Sequence, residues 1–180
     1  MSAGEDLFHD DGSVAYRHCP RCGGRLEERL VFEHDPPRQV CVACGFVFYR
    51  DPKVAAGAIC RTPQGIVLLR RGIEPGHGLW VYPGGYVDRG ESLPAAAARE
   101  TREEVGLDVR IDRLVGVYSY PGRPVIVIVY AATVIGGALR GGPEALEVGT
   151  FDREGIPWAS LAFPSTREAL NDYFNDDRRA

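Results

Sequence analysis

Apolar residues along this chain gather in short runs, with one amphipathic stretch lying among them. Lys53–Arg61 and Gly65–Arg71 are apolar runs parted by Thr62-Pro63-Gln64-Gly65, which predicts a β-hairpin. Gly72–Leu79, holding Pro75, Gly76, His77 and Gly78, reads as a loop, and Trp80-Val81-Tyr82-Pro83 leads from it into a Gly84-Gly85 turn. Glu91–Gly106 then switches to helical periodicity. Pro94 is tolerated in its first turn, where backbone N–H groups lack intrahelical partners, and Gly106 is a natural stop. Asp108–Tyr120 and Pro124–Ile135 return to β patterning around a Ser119–Pro124 turn. Val125–Val129 is apolar throughout, so that strand is expected to be covered on both faces. A glycine-rich loop, Gly136–Pro143, precedes a further strand over Glu144–Phe151. Ser165–Asn175 predicts a short helix with Leu170, Tyr173 and Phe174 on its apolar side and Ser165 or Thr166 as cap.

The segment ahead of these runs is organised differently. Residues 1–15 are polar and acidic and read as a flexible tail. Cys19-Pro20-Arg21-Cys22 and Cys41-Val42-Ala43-Cys44 form two C-x2-C knuckles separated by eighteen residues, a spacing that suits a tetrahedral Zn2+. Gly23-Gly24 and Gly45 permit the tight turns that aim backbone amides at the thiolates. Leu26–Phe32 and Gln39-Val40 read as hairpin strands around Asp35-Pro36-Pro37. Four cysteines leave no open coordination position, so this Zn2+ is expected to be structural, and so short a module relies on it to fold. The reading is a zinc ribbon over 16–50, with Asp51-Pro52 opening the main domain over 51–180. Cys60 ends an apolar run and reads as a buried strand residue.

Composition narrows the functional classes. At 180 residues the chain holds one ordinary domain with a small appendage. It has no apolar run near the ~20 residues of a membrane span and no charged-then-apolar opening, so a cytoplasmic protein with no membrane partner is expected. A net charge of −4 makes nucleic acid an unlikely partner.

The chemistry is concentrated in the helix and the glycines before it. Glu100, Glu103 and Glu104 fall within one ~100° arc of the helix. Such an acidic face is ordinarily just solvated. Here the adjacent Gly84-Gly85 lets the backbone approach a ligand closely, and crowded carboxylates suit Mg2+ or Mn2+ carried together with substrate phosphates. The order Gly85, Glu91, Arg99-Glu100, Glu103-Glu104, Gly106-Leu107 resembles the Nudix box at eight positions. Thr101 departs from it, standing at a packing position where an aliphatic residue is usual. Arg70-Arg71, Gly78-Leu79-Trp80 and Pro83-Gly84-Gly85 are similar to the flanking residues of Nudix hydrolases. A zinc ribbon joined to this domain resembles two subgroups, the NADH pyrophosphatases and the enzymes acting on ADP-ribose or FAD.

The resemblance implies a Nudix-type α/β/α sandwich with a mixed sheet. It implies Mg2+ or Mn2+ held by Glu100, Glu103, Glu104 and a carbonyl of Gly84 or Gly85, with Arg99 and Glu91 orienting those carboxylates. The reaction would be hydrolysis of a nucleoside diphosphate linked to another moiety. The proton acceptor stays open between Glu103 and a downstream glutamate, Glu144 or Glu147, with Glu147 favoured because Val148–Phe151 resembles the strand that follows such a residue. Arg70, Arg71 and Arg123 are candidate phosphate contacts, and Tyr118, Tyr120, Trp158 and Phe163 candidate faces for stacking on a base or flavin. Tyr118–Gly122 replaces the Ser-Gln-Pro-Trp-type segment of NADH pyrophosphatases, which favours ADP-ribose or FAD over NADH or a nucleotide-capped RNA. A non-catalytic sensing module is the reading from another class, and it would be expected to have lost box carboxylates or gained a DNA-binding helix pair. Oligomeric state stays open, a homodimer being the assembly of many members of the family.

Overall fold

A computed structural model describes residues 16–176, so the tail expected over 1–15 lies outside the described residues. Two compact units are present. One runs to Pro52 and takes in Gly122–Pro124, and the other holds Lys53–Pro121 and resumes at Val125.

In the first unit, strands β1 (Leu26–Arg29), β2 (Arg38–Cys41) and β3 (Val47–Phe48) form an antiparallel sheet in that order. The third strand was not anticipated, since two residues carry no readable alternation. Cys19, Leu26 and Cys41 make a minimal core, with Phe46 and Phe48 against it. The two knuckles close alike: Gly23 donates to the Cys19 carbonyl at 2.9 Å and Gly45 to the Cys41 carbonyl at 3.0 Å, both glycines in the left-handed region.

The second unit is built on one mixed sheet. Its main path runs β10 (Ala145–Phe151), β5 (Gly65–Arg71), β4 (Lys53–Thr62), β9 (Val125–Gly137), β8 (Leu107–Tyr118), with β6 (Trp80–Val81) on β5 and β7 (Gly84–Tyr86) on β4. β4 and β9 are parallel and the remaining pairs antiparallel. The Gly84-Gly85 stretch, expected as a turn, is therefore a short strand. Glycines are poor strand formers in isolation, but here the lack of side chains lets β7 lie close against β4.

Helix α1 (Leu93–Val105) covers one face of the sheet and α2 (Pro164–Asp176) the other. Between α1 and the sheet, Ala96, Ala97 and Val105 of the helix pack with Ala56, Ala58, Cys60, Val67 and Leu69. Between α2 and the sheet, Leu170 and Tyr173 of the helix pack with Ile59, Leu68, Tyr82, Tyr118 and Val129. This is the α/β/α sandwich. Strand alternation assigns each β5 side chain to a face, so Arg71 shares the α1 face with Leu69, and Arg70 the α2 face with Leu68. Among the described residues no helix is long and apolar enough to cross a membrane.

Candidate active site and metal centres

The site begins with two glycines opposite β4. Gly84 pairs with Gly57 and Gly85 with Ala56. A Cβ on Gly84 would come within 2.6 Å of the Gly57 Cα, and one on Gly85 within 2.5–2.6 Å of the Glu100 carboxyl. The bare Gly84 thus lets β7 close on β4, and the bare Gly85 leaves room for the Glu100 carboxyl. The Gly84 N–H donates to Glu104 Oε2 at 2.7 Å, fixing that side chain beneath α1.

Why α1 forms here is legible locally. Ser92 precedes it in an extended conformation, Pro94 takes the first turn, and Gly106 ends it at φ 71°. Beyond Gly106, three backbone N–H groups of the glycine-rich loop are spent on the helix end: Ala138 on the Gly106 carbonyl, Arg140 on that of Val105 and Gly142 on that of Glu104. Orphan carbonyls at a helix C-terminus require such partners. Capping also draws the loop that carries Glu144 against the box helix.

Arg99 ties the carboxylates together. Its Nε and Nη2 donate to the two oxygens of Glu91, both at 2.9 Å, and Nη2 also reaches the Tyr86 carbonyl at 3.1 Å. Its Nη1 donates to Glu100 at 2.8 Å and to Glu103 at 3.1 Å. This is a bidentate guanidinium–carboxylate pair with two further acids on its edge. Arg99 holds the Glu91 carboxyl below the usual carboxylate range, and the cluster in turn raises the Arg99 guanidinium further. Glu100 is shifted upward, first by burial and then by Glu103 and Glu144, against the pull of Arg99. Burial pushes Glu104 up to about 7, with Glu100 and Glu144 adding and the Gly84 N–H and Arg71 opposing. Two carboxyls made uncomfortable by burial and by one another constitute a site short of positive charge.

These observations sort the expected residues. Glu91, Arg99, Glu100, Glu103, Glu104, Gly84 and Gly85 are brought together, and Arg71 leaves β5 on the same α1 face of the sheet. Arg70 and Glu147 instead pair with each other at 3.6 Å on the α2 face, opposite in β5–β10 register. Glu144, weighed beside Glu147 but not favoured, is the downstream glutamate whose charge reaches Glu100 and Glu104. A register shift between Ala145 and Glu147 sets which side Glu147 faces, and no sequence pattern marked it. Tyr118 and Tyr120 pack on the α2 face, the Tyr118 hydroxyl donating to Asp172 at 2.8 Å. Burial, then Asp172, pushes the Tyr118 phenol upward, and burial, then Glu168, takes Tyr120 to about 12. Trp158 also packs there, its indole donating to the Arg153 carbonyl at 3.3 Å. Phe163 alone of the four aromatic candidates packs on the α1 face. Arg123 stands in the turn that groups with the ribbon unit.

A second centre lies in the ribbon. The Cys19, Cys22, Cys41 and Cys44 sulfurs fall within 4.8 Å of one another. Backbone amides are aimed at them, Arg21 N–H at Cys19 Sγ over 3.4 Å among them. The Cys44 N–H, helped by that of Ala43 and opposed by burial, lowers the Cys41 thiol to about 7. Four thiols gathered this way, with amides to favour their thiolates, fit a tetrahedral soft-metal site.

Comparison with known proteins adds lineage to this geometry. Residues 51–171 match the NUDIX domain model, and residues 17–50 match the zinc-ribbon model described as Nudix N-terminal. An ADP-ribose pyrophosphatase of Methanocaldococcus jannaschii is 39% identical over 155 residues, covering 84% of this chain and 86% of that protein. A protein of Stutzerimonas stutzeri named NAD-capped RNA hydrolase NudC is 30% identical over 137 residues, and there the match covers 73% of this chain but only 46% of the relative. Among solved structures, a NUDIX hydrolase from Nitrosomonas europaea superposes with a TM-score of 0.87 at 32% identity, covering 92% of this chain and 94% of that one.

Proposed function

Since this chain belongs to the Nudix hydrolase family, we propose that it hydrolyses a nucleoside diphosphate linked to a second moiety, with Mg2+ or Mn2+ and with ADP-ribose as the preferred substrate. The observation that carries this reading is the packing of Gly84-Gly85 against Glu100 and Glu104, with Arg99 holding Glu91, Glu100 and Glu103 beside them. The donor set fits a hard divalent cation: oxygen ligands, excess negative charge and bare backbone carbonyls. Glu100, Glu103, Glu104 and a carbonyl of Gly84 or Gly85 would hold it. Bound there, such an ion supplies charge neutralisation for the phosphate oxygens and lowers the pKa of an attacking water.

The chain's own residues set up that reaction. Arg99 and Glu91 fix the Glu100 and Glu103 carboxylates in place, and the Gly84 N–H fixes Glu104. Glu144, on the loop capping α1, takes the role of a downstream glutamate that accepts the proton from water, with Glu103 the alternative within the helix. Glu147, engaged by Arg70, is relegated to fold support on the other face. Four ribbon cysteines hold a structural Zn2+.

The substrate preference is supported by likeness to the archaeal ADP-ribose pyrophosphatase over most of both chains, and by the absence of the Ser-Gln-Pro-Trp-type segment. FAD shares the same nucleoside diphosphate chemistry and is the next substrate to try. NAD-capped RNA is a second reading, favoured by the likeness to proteins named NudC, of which this chain spans about half. Initial rates on ADP-ribose, FAD, NADH and NAD-capped RNA with Mg2+ test the ranking. ADP-ribose is expected to give the highest kcat/KM, and NADH or capped RNA ahead of it by tenfold would overturn the preference.

A further inference from the structure

The four ribbon sulfurs do not share one setting. Cys19 and Cys41, the first cysteine of each knuckle, are buried with Leu26 in the ribbon core. Cys22 and Cys44, the second of each, are exposed. The residue that follows each of them leaves it uncovered, since a Cβ on Gly23 or on Gly45 would meet nothing within 4 Å. Both glycines hold the left-handed conformation that other residues rarely adopt, so the opening belongs to the turn itself. Across the knuckles, Cys22 Sγ lies 3.3 Å from Cys44 Sγ and 3.5 Å from Cys41 Sγ, while Cys19 and Cys44 stand 3.8 Å apart. The shortest of these contacts joins the two exposed sulfurs. Cys60, by contrast, is fully buried, its sulfur facing the Ala58 carbonyl at 3.5 Å and the Thr101 hydroxyl at 3.8 Å. Oxidation of a thiolate to a disulfide needs access for the oxidant and a second sulfur within reach. Cys22 and Cys44 meet both conditions together.

We infer that the ribbon is also a peroxide-responsive clasp, in which oxidation joins Cys22 to Cys44 and releases the structural Zn2+. The inference rests on the zinc reading proposed above and is independent of the substrate. One exposed thiolate attacks the O–O bond of hydrogen peroxide, becoming a sulfenic acid and releasing hydroxide. The other thiolate then displaces a second hydroxide from that sulfur and closes the S–S bond. The two sulfurs together give up two electrons, the peroxide takes them, and both hydroxides end as water. Two thiolate ligands are thereby lost, and the remaining pair cannot complete a tetrahedral site. The new bond ties the same two knuckles that the metal had tied, and a thiol reductant reverses it. A disulfide within either knuckle would instead draw Cys19 or Cys41 out of the core they form with Leu26.

The test uses the full zinc-loaded chain and hydrogen peroxide, with three readouts: Zn2+ captured by a chromogenic chelator, thiol titration in denaturant, and non-reducing peptide mapping with fragmentation. Trypsin parts Cys19 from Cys22 at Arg21, so the pairings are separable. Peroxide is expected to release the Zn2+ with loss of two of the five thiols. Cys22–Cys44 is expected as the main linkage, and a thiol reductant with added Zn2+ should restore the starting state. Cys60→Ser should release Zn2+ at the wild-type rate. Zinc retained with all thiols reduced would overturn the inference. So would a main linkage through Cys19 or Cys41, sulfinic acid in place of a disulfide, or release that depends on Cys60. If the purified chain carries no zinc, the ribbon reading falls, and the peptide map still decides whether Cys22 pairs with Cys44.

Discussion

Gly84 and Gly85 are neighbours that respond differently to an added methyl group. A Cβ on Gly84 meets β4 backbone, the Gly57 Cα at 2.6 Å and the Ala56 carbonyl oxygen at 2.8 Å, which cannot yield without moving a strand. A Cβ on Gly85 meets the far end of the Glu100 side chain, which swings away easily. Gly84→Ala is therefore expected to lower stability by about 1–3 kcal/mol in urea titration. Gly85→Ala should leave stability within about 1 kcal/mol but cut kcat on the order of a hundredfold, because Glu100 leaves Arg99 and the metal position. Equal stability losses in the two variants would contradict this contrast. Thr101, the residue that departs from the family pattern, is fully buried, and its hydroxyl donates to the Ala97 carbonyl at 2.7 Å. The position remains a packing position, and the extra polar atom is satisfied by its own helix. Thr101→Val removes a donor whose acceptor also serves the helix ladder, so it should change stability by less than about 1 kcal/mol and leave activity intact.

At the scale of elements, α1 and the loop that caps it behave as one device. Gly142 N–H caps the Glu104 carbonyl, and a Cβ on Gly142 would run into the Glu103 carbonyl oxygen, a backbone atom. Gly142→Ala should push the loop off the helix end, carrying Glu144 away from the carboxylates. The expected outcome is a fall in kcat of roughly tenfold or more with KM little changed. Glu144→Gln should lower kcat more than Glu147→Gln does, and the reverse order would restore Glu147 to the role first expected of it. This device also marks the limit of what the sequence discloses. The helix, its stop at Gly106 and the two long strands that follow are written in local periodicity and in glycine and proline placement. Which face of the sheet Glu147 and Tyr118 occupy depends on bulges in β8 and β10. A bulge shifts alternation by one residue and leaves no mark in hydropathy. Spacing thus led to the box residues, while face assignment, which separates Arg71 from Arg70 and Glu144 from Glu147, had to come from the fold.

For the whole molecule, the five cysteines report on both units at once. None of the five is in a disulfide: four gather in the ribbon, and Cys60 is buried under α1, where burial pushes its thiol up to about 12. A thiol so protected is inert. Alkylation of the zinc-loaded protein is expected to modify none of them quickly, a chelator should expose four, and denaturant should expose the fifth. Five reactive thiols in the native protein, or no stoichiometric zinc, would contradict the ribbon assignment. The proposed activity is cleavage of a nucleoside diphosphate linkage by a divalent ion held at the α1 carboxylates, which Arg99 and the two glycines gather. Its most direct measurement is AMP release from ADP-ribose by the purified chain and by Glu104→Gln, each with Mg2+ and with chelator. AMP is expected only with the ion, and at a rate lower by about 10²–10³ in the variant. AMP formed equally without the ion, or equally by Glu104→Gln, would contradict it.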